Sequence, residues 1–158
     1  MAASTSSTHP GDPAEVAAGL STGADTVGLP VTPVRDPAVE MLPLLEPAAL
    51  EALTEDTGAP GMALQFARDF AGLWDQRHAR LRNSVEQEDL TMAIDAAISL
   101  KVTSALVGGS RLAHLAHTLD TALRQGNLRE APTLLALIAI HGHDTIAELR
   151  RQHDLPSA

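Results

Sequence analysis

The chain contains no cysteine and no tyrosine, and aromatic residues make up only 2% of its 158 residues. The absence of cysteine excludes a disulfide framework, a cysteine-ligated zinc site and a thiol nucleophile. A core with so few rings must be built from Leu, Ile, Val and Ala, and this composition favours helices over sheets. Hydrophobic residues make up 44% of the chain, which is enough for one folded domain.

Basic residues are also few, because 11 Lys and Arg stand against 20 Asp and Glu, for a formal net charge of -9. This charge would repel a phosphate backbone, so nucleic acid is not expected as a partner. No apolar run approaches the ~20 residues of a membrane span, and no secretory signal is visible. We therefore expect a cytoplasmic protein with no membrane partner. No nucleotide-binding or metal-binding motif is present, so we expect no cofactor and no metal.

The composition changes sharply along the chain. Residues 1–40 are rich in Pro, Gly, Ser and Thr, and such a segment buries too little apolar surface to offset its ordering entropy. We therefore predict a disordered leader over 1–40, a folded domain over 41–153 and a short tail over 154–158.

Five helical segments are predicted in the folded domain, and no strand pattern competes with them. The second carries a stripe of inward-facing residues spaced by three and four, namely Phe66, Phe70, Leu73, Arg77 and Leu81. The short Gly-bearing links between long amphipathic segments predict an all-α, antiparallel four-helix bundle with an extra short N-terminal helix. The five segments lie at about residues 47–55, 60–85, 89–107, 110–125 and 129–153. The third is expected to begin at Asp89 as its N-cap and to end at Gly108–Gly109. The fourth carries an apolar stripe of Leu112, Leu115, Leu119 and Leu123 or Ala122.

The third segment, residues 89–107, is apolar on two sides when it is placed on a helical wheel at 100° per residue. Its opposite side also carries aliphatic residues, where an ordinary surface helix is polar. Two interpretations follow: the helix is buried all round, or it exposes an apolar surface on which a partner docks. The first side consists of small and apolar residues suited to close packing, namely Ala93, Ala97, Leu100, Ser104 and Val107.

The same segment resembles the signature of the histidine-phosphotransfer (HPt) family. That signature reads Ala-His-x-Leu-Lys-Gly-x-Ser, followed a few residues later by Gly-Ala and then by a Leu-rich helix. The resemblance covers about residues 45–150, and it implies the four-helix HPt fold and a place in two-component phosphorelay signalling. It also implies affinity for a response-regulator receiver domain or a histidine kinase. The positions that keep step with the signature are Ala97, Leu100, Lys101, Ser104, Gly108 and Leu112.

The sequence departs from the family at two positions. The residue that the family phosphorylates is histidine, but here it is Ile98, which has no nucleophilic atom. The family's glycine four residues on leaves room for the phosphoryl group, but here it is Val102. The resemblance therefore implies a bundle with no catalytic residue that acts by docking its partner. The expected docking residues are Ile94, Ile98, Lys101, Val102 and Ala105.

Two alternatives remain at this stage. The same apolar surface could pair two copies of the chain in a structural homodimer. The other alternative is a His-based or metal-dependent phosphotransferase that uses His114 and His117, with Asp120 as a possible third metal ligand. His114 and His117 are three residues apart on one predicted helix, but both lie opposite its Leu stripe and so face solvent.

Overall fold

A computed structural model describes residues 36–156 of the protein. Seven helices and no strand occur within these residues, which confirms the predicted all-α fold. The helices are α1 (Pro37–Glu40), α2 (Ala48–Thr57), α3 (Pro60–Gly72), α4 (Trp74–Glu86), α5 (Leu90–Val107), α6 (Ser110–Arg124) and α7 (Ala131–His153).

The bundle has four columns, because α3 and α4 follow one another as a single broken column beside α5, α6 and α7. α5 lies between α4 and α6, and α7 contacts α6 on one side and both α3 and α4 on the other. The Leu stripe of α6 lies at the centre of this arrangement. Its buried members are Leu112, Leu115, Leu119 and Leu123, as the periodicity predicted.

The helix ends follow local chemistry. The side chain of Asp89 accepts a hydrogen bond from the Met92 backbone N–H at 3.2 Å, which confirms its predicted role as the N-cap of α5. Gly108 ends α5 with a φ of 89°, a left-handed conformation that suits glycine. A Cβ at Gly108 would also collide with the carbonyl oxygen of Glu46. The α5–α6 corner therefore needs glycine for both its backbone angle and its close packing.

The predicted single helix over residues 60–85 is wrong, since the chain breaks at Leu73 between α3 and α4. Leu73 was expected to face inward, but it is 40% exposed, whereas Trp74 is buried. The backbone N–H of Arg77 still donates to the Leu73 carbonyl at 3.0 Å, so the helical column continues past the break. Gly72 has a low helix propensity, and the break turns the large indole of Trp74, rather than Leu73, into the core.

Trp74 packs directly on the backbone of α7 at Gly142. A Cβ at Gly142 would collide with the Trp74 ring, so only glycine leaves room for the indole at this level of the bundle. The indole also stacks on the His78 imidazole, with ring centroids 5.4 Å apart. Burial lowers the pKa of His78, and the charge of Arg82 lowers it further.

A segment before α2 is fastened to the start of α6 by Arg111. Its Nε donates to the Leu42 carbonyl at 2.7 Å, and its Nη2 donates to the Glu40 carbonyl at 3.0 Å. Val39 and Leu45 are buried beside these bonds. The residues that run from α1 to α2 are therefore attached to the bundle by both apolar and polar contacts.

The predicted domain limits meet the structure only in part. The predicted leader of residues 1–40 includes α1, whereas residues 1–35 lie outside the described residues. The last two residues of the predicted tail also lie outside them.

Candidate docking face on α5

The inward side of α5 is the one that the helical wheel predicted. All five residues of that side are buried, with exposed fractions between 0% and 3%. Three of them are small, and small side chains let α5 approach its neighbours closely. They are Ala93, Ala97, Leu100, Ser104 and Val107.

The opposite side of α5 carries the five predicted docking residues, which we call the outer face: Ile94, Ile98, Lys101, Val102 and Ala105. Ile94, Ile98 and Lys101 are half-buried, and Ala105 is exposed. Val102 is 49% exposed. The interpretation of a helix buried on all sides is therefore wrong for the part of the chain that the structure describes.

The apolar surface extends beyond the residues that sequence reasoning selected. Leu106, which follows Val102 by one turn, and Leu90, which precedes Ile94 by one turn, are each 39% exposed. Sequence reasoning missed both residues because they lie at the two edges of the outer face, away from its centre. The exposed apolar strip therefore runs most of the length of α5.

Lys101 lies at the border between α5 and α6. Its Nζ is 3.9 Å from Oδ2 of Asp120, a distance beyond that of a hydrogen bond. Asp120 is buried, and its Oδ1 accepts a hydrogen bond from Arg124 Nε at 2.8 Å. Asp120 thus has its principal partner on its own helix, and the ammonium of Lys101 keeps its donors available on the edge of the outer face.

The alternative site at His114, His117 and Asp120 is not assembled. His114 and His117 are exposed, whereas Asp120 is buried and bonded to Arg124. Between residues 36 and 156, no group of three His, Cys, Asp or Glu side chains is placed to hold a metal ion. The geometry therefore does not bring the three proposed metal ligands together.

One helix in the described part of the chain, α5 itself, is long and apolar enough to cross a membrane by length and composition alone. This helix departs from the expectation that no apolar run approaches the length of a membrane span. The same composition arises in a core helix, and α5 packs between α4 and α6 with Asp95 and Lys101 within its span. The signal is weak evidence for a membrane span.

Comparison with known proteins identifies the family. The Hpt domain family matches residues 65–153, which is more than half of the chain, and the chain belongs to this family. It is a phosphorelay signalling protein. Proteins of this family are phosphotransfer carriers that interact with receiver domains and histidine kinases, and they are not enzymes in the usual sense.

A solved structure shows the same fold. The crystal structure of histidine-containing phosphotransfer protein B (HptB) from Pseudomonas aeruginosa PAO1 matches with a TM-score of 0.64. The match covers 71% of this chain and 96% of that chain at 20% sequence identity. The likeness confirms the predicted four-helix HPt bundle. No curated protein sequence matches the chain.

Proposed function

We propose that this protein is an HPt-type phosphorelay component that is not phosphorylated at the usual position and acts by binding a receiver domain through the outer face of α5. The bound receiver would be held away from its other partners or presented to them as part of a scaffold. A histidine-kinase domain is the second candidate partner for the same face. We place the protein in the cytoplasm, where such partners work.

The absence of any histidine from α5 carries this proposal. The HPt resemblance places the phosphoacceptor on this helix, yet Leu90–Val107 contains no histidine at any position. An error of one or several residues in the alignment would therefore not supply a histidine. At the matching position, Ile98 offers a saturated hydrocarbon side chain that cannot form a phosphoramidate.

The surface that replaces the phosphoacceptor is suited to binding. Ile98 and Val102 put apolar area where the family has an imidazole and a glycine, and Val102 is half exposed. Burying such area against a partner is favourable by roughly 25 cal/mol per Å² before the costs of association are counted. Lys101 at the edge adds a positive charge, which would attract the acidic residues with which a receiver domain accepts phosphate.

The first experiment measures affinity for each purified receiver domain of the source organism by titration calorimetry. The Val102→Asp variant puts a charge on the outer face, and we expect it to weaken binding at least about tenfold. Ile140→Asp is the matched control, because Ile140 is a β-branched residue with 46% exposure that lies on α7. Equal losses in the two variants would contradict the proposed face.

A second measurement uses the single lysine of the chain, Lys101. An amine-reactive reagent can label only Lys101 and the terminal amine, so mass spectrometry reports two positions. We expect the bound receiver to protect Lys101 and to leave the terminal amine reactive. Binding without protection of Lys101 would place the contact elsewhere on the bundle.

The competing phosphotransferase function has its own test. The protein is incubated with a phosphorylated receiver that carries a radioactive phosphoryl group, and the product is examined for acid-labile, base-stable label. We expect stoichiometric binding and no label on this protein. Stable phosphohistidine at His114 or His117 would overturn the proposal.

A further inference from the structure

A cleft at one end of the bundle lies apart from the outer face of α5. It forms where the end of α4 meets the loop between α6 and α7, and its volume is about 420 Å³. Pockets for small molecules commonly measure about 300–1,000 Å³. We call it the end cleft, and its apolar walls are Val85, Leu128, Pro132 and Leu135.

The rim of the end cleft carries an unusual backbone conformation at Glu88. Its φ is 56°, in the left-handed region that side chains with a Cβ rarely adopt. The Glu88 N–H bonds to the Val85 carbonyl and the Asp89 N–H to the Ser84 carbonyl, each at 3.0 Å, which is the pattern of a Schellman helix end. Glycine normally occupies this position.

The C-terminal end of α6 has the same motif with glycine at the left-handed position. There the left-handed residue is Gly126, with a φ of 72°, and the following Asn127 N–H bonds back to the Ala122 carbonyl at 2.9 Å. The two helix ends therefore share one backbone motif, but α4 keeps a carboxylate where α6 has glycine. Because backbone strain of this kind clusters at functional sites, the Glu88 side chain is a candidate for a role at the end cleft.

The charges around the end cleft favour a cation. Arg82 Nε lies 3.9 Å from Oε1 of Glu86, so these two opposite charges largely offset one another. Glu88 has no ion-pair partner among residues 36–156 and is left as the uncompensated charge at an apolar cleft. We propose that the end cleft binds a small organic cation, with its apolar body against Leu128 and Leu135 and its positive group at Glu88.

The test compares two probes of the same shape and opposite charge, 4-phenylbutylammonium and 4-phenylbutyrate. Binding to the full chain is followed by shifts of the backbone amide signals of Leu128 and Leu135 in nuclear magnetic resonance spectra. We expect saturable binding of the cation and at least about tenfold weaker binding of the anion. Equal binding of both probes, or binding of neither, would overturn the proposal.

Three variants separate the charge of Glu88 from its backbone strain. Glu88→Gln removes the charge alone, and we expect it to lose the preference for the cation without a rise in melting temperature. Glu88→Gly should lose the same preference and also melt a few degrees higher, because glycine relieves the left-handed strain. Glu130→Gln, a nearby exposed carboxylate that does not line the cleft, should bind as the native chain does. Native-like selectivity in Glu88→Gln would contradict the proposal, whatever the outcome for the receiver.

Discussion

The two sides of α5 are both apolar, yet only one of them is buried. Leu100 and Ala97 face the core at 3% and 0% exposure, whereas Val102 on the other side is 49% exposed. Hydrophobicity alone does not distinguish these sides, because each would gain free energy by leaving water. Their difference arises from what surrounds them, since α4 and α6 cover the inward side and nothing among residues 36–156 covers Val102 to the same extent.

The largest effect is expected when a phosphoacceptor histidine is introduced on the outer face of α5. Ile98→His alone supplies a nucleophile, but Val102 still crowds the phosphoryl group and its in-line approach. The double variant with Val102→Gly removes this crowding at a cost of about 1 kcal/mol in helix stability. We expect measurable phosphotransfer from a phosphorylated receiver in the double variant, less in the single variant and none in the native protein.

The outcome is read by label transfer, and circular dichroism checks that the variants remain helical. If the double variant binds a receiver and never accepts label, then either the alignment at Ile98 or the docking face is wrong.

Truncating one residue on each side of α5 measures the comparison directly. We expect Leu100→Ala to lower the free energy of unfolding by about 2–5 kcal/mol, because it empties a buried site. Val102→Ala should cost less than about 1 kcal/mol, because half of that side chain is already in water. Urea denaturation provides both values. Similar losses would mean that the outer face is covered in the intact protein.

Two glycines show the same contrast, because Gly142 is buried and Gly72 is exposed. Gly142→Ala would make a methyl group collide with the Trp74 ring. We therefore expect the free energy of unfolding to fall by about 3 kcal/mol, at the upper end of the usual cost of overpacking. Gly72→Ala is the control, because nothing lies within 4 Å of the position that its methyl group would occupy, and it should be neutral or stabilising. Thermal unfolding of the two variants tests the difference, and a destabilised Gly72→Ala variant would argue against the open site.

Removing the N-terminal region in two steps extends the comparison to the segment before α2. Deletion of residues 1–35 should leave the melting temperature nearly unchanged, because the composition of this segment predicts that it buries little apolar surface. Deletion of residues 1–46 also removes Val39, Leu45 and the acceptors of Arg111, and we expect it to cost about 2 kcal/mol after the ordering entropy is counted. A large effect of the shorter deletion would show that residues 1–35 pack on the bundle.

The smallest expected effect concerns His78, which is half-buried. Its folded pKa is lowered from 6.5, so the unfolded chain binds the proton more readily and stability falls as pH drops through 6.5. His78→Gln should reduce the loss of melting temperature between pH 7.5 and 5.5 by about a degree. A native-like pH dependence in the His78→Gln variant would contradict this role for His78.

Much of the fold could be predicted from local patterns. The Leu spacing of α6, the Asp89 cap and the Gly108 end each depend on a few neighbouring residues, and each was predicted. The break at Leu73 could not be predicted in this way. At this break the indole of Trp74 packs against Gly142, which lies 68 positions further along the chain, and no local pattern shows that contact.

The candidate site shows the same division. The sequence alone determined which residues share each side of α5, and that this helix carries no histidine, because helical periodicity and residue identity are local properties. Only the tertiary structure decided which apolar side is covered, that Asp120 is buried while His114 and His117 stay exposed, and that the end of α4 meets the α6–α7 loop in an open cleft at Glu88. These outcomes depend on contacts between distant residues, which no local pattern encodes.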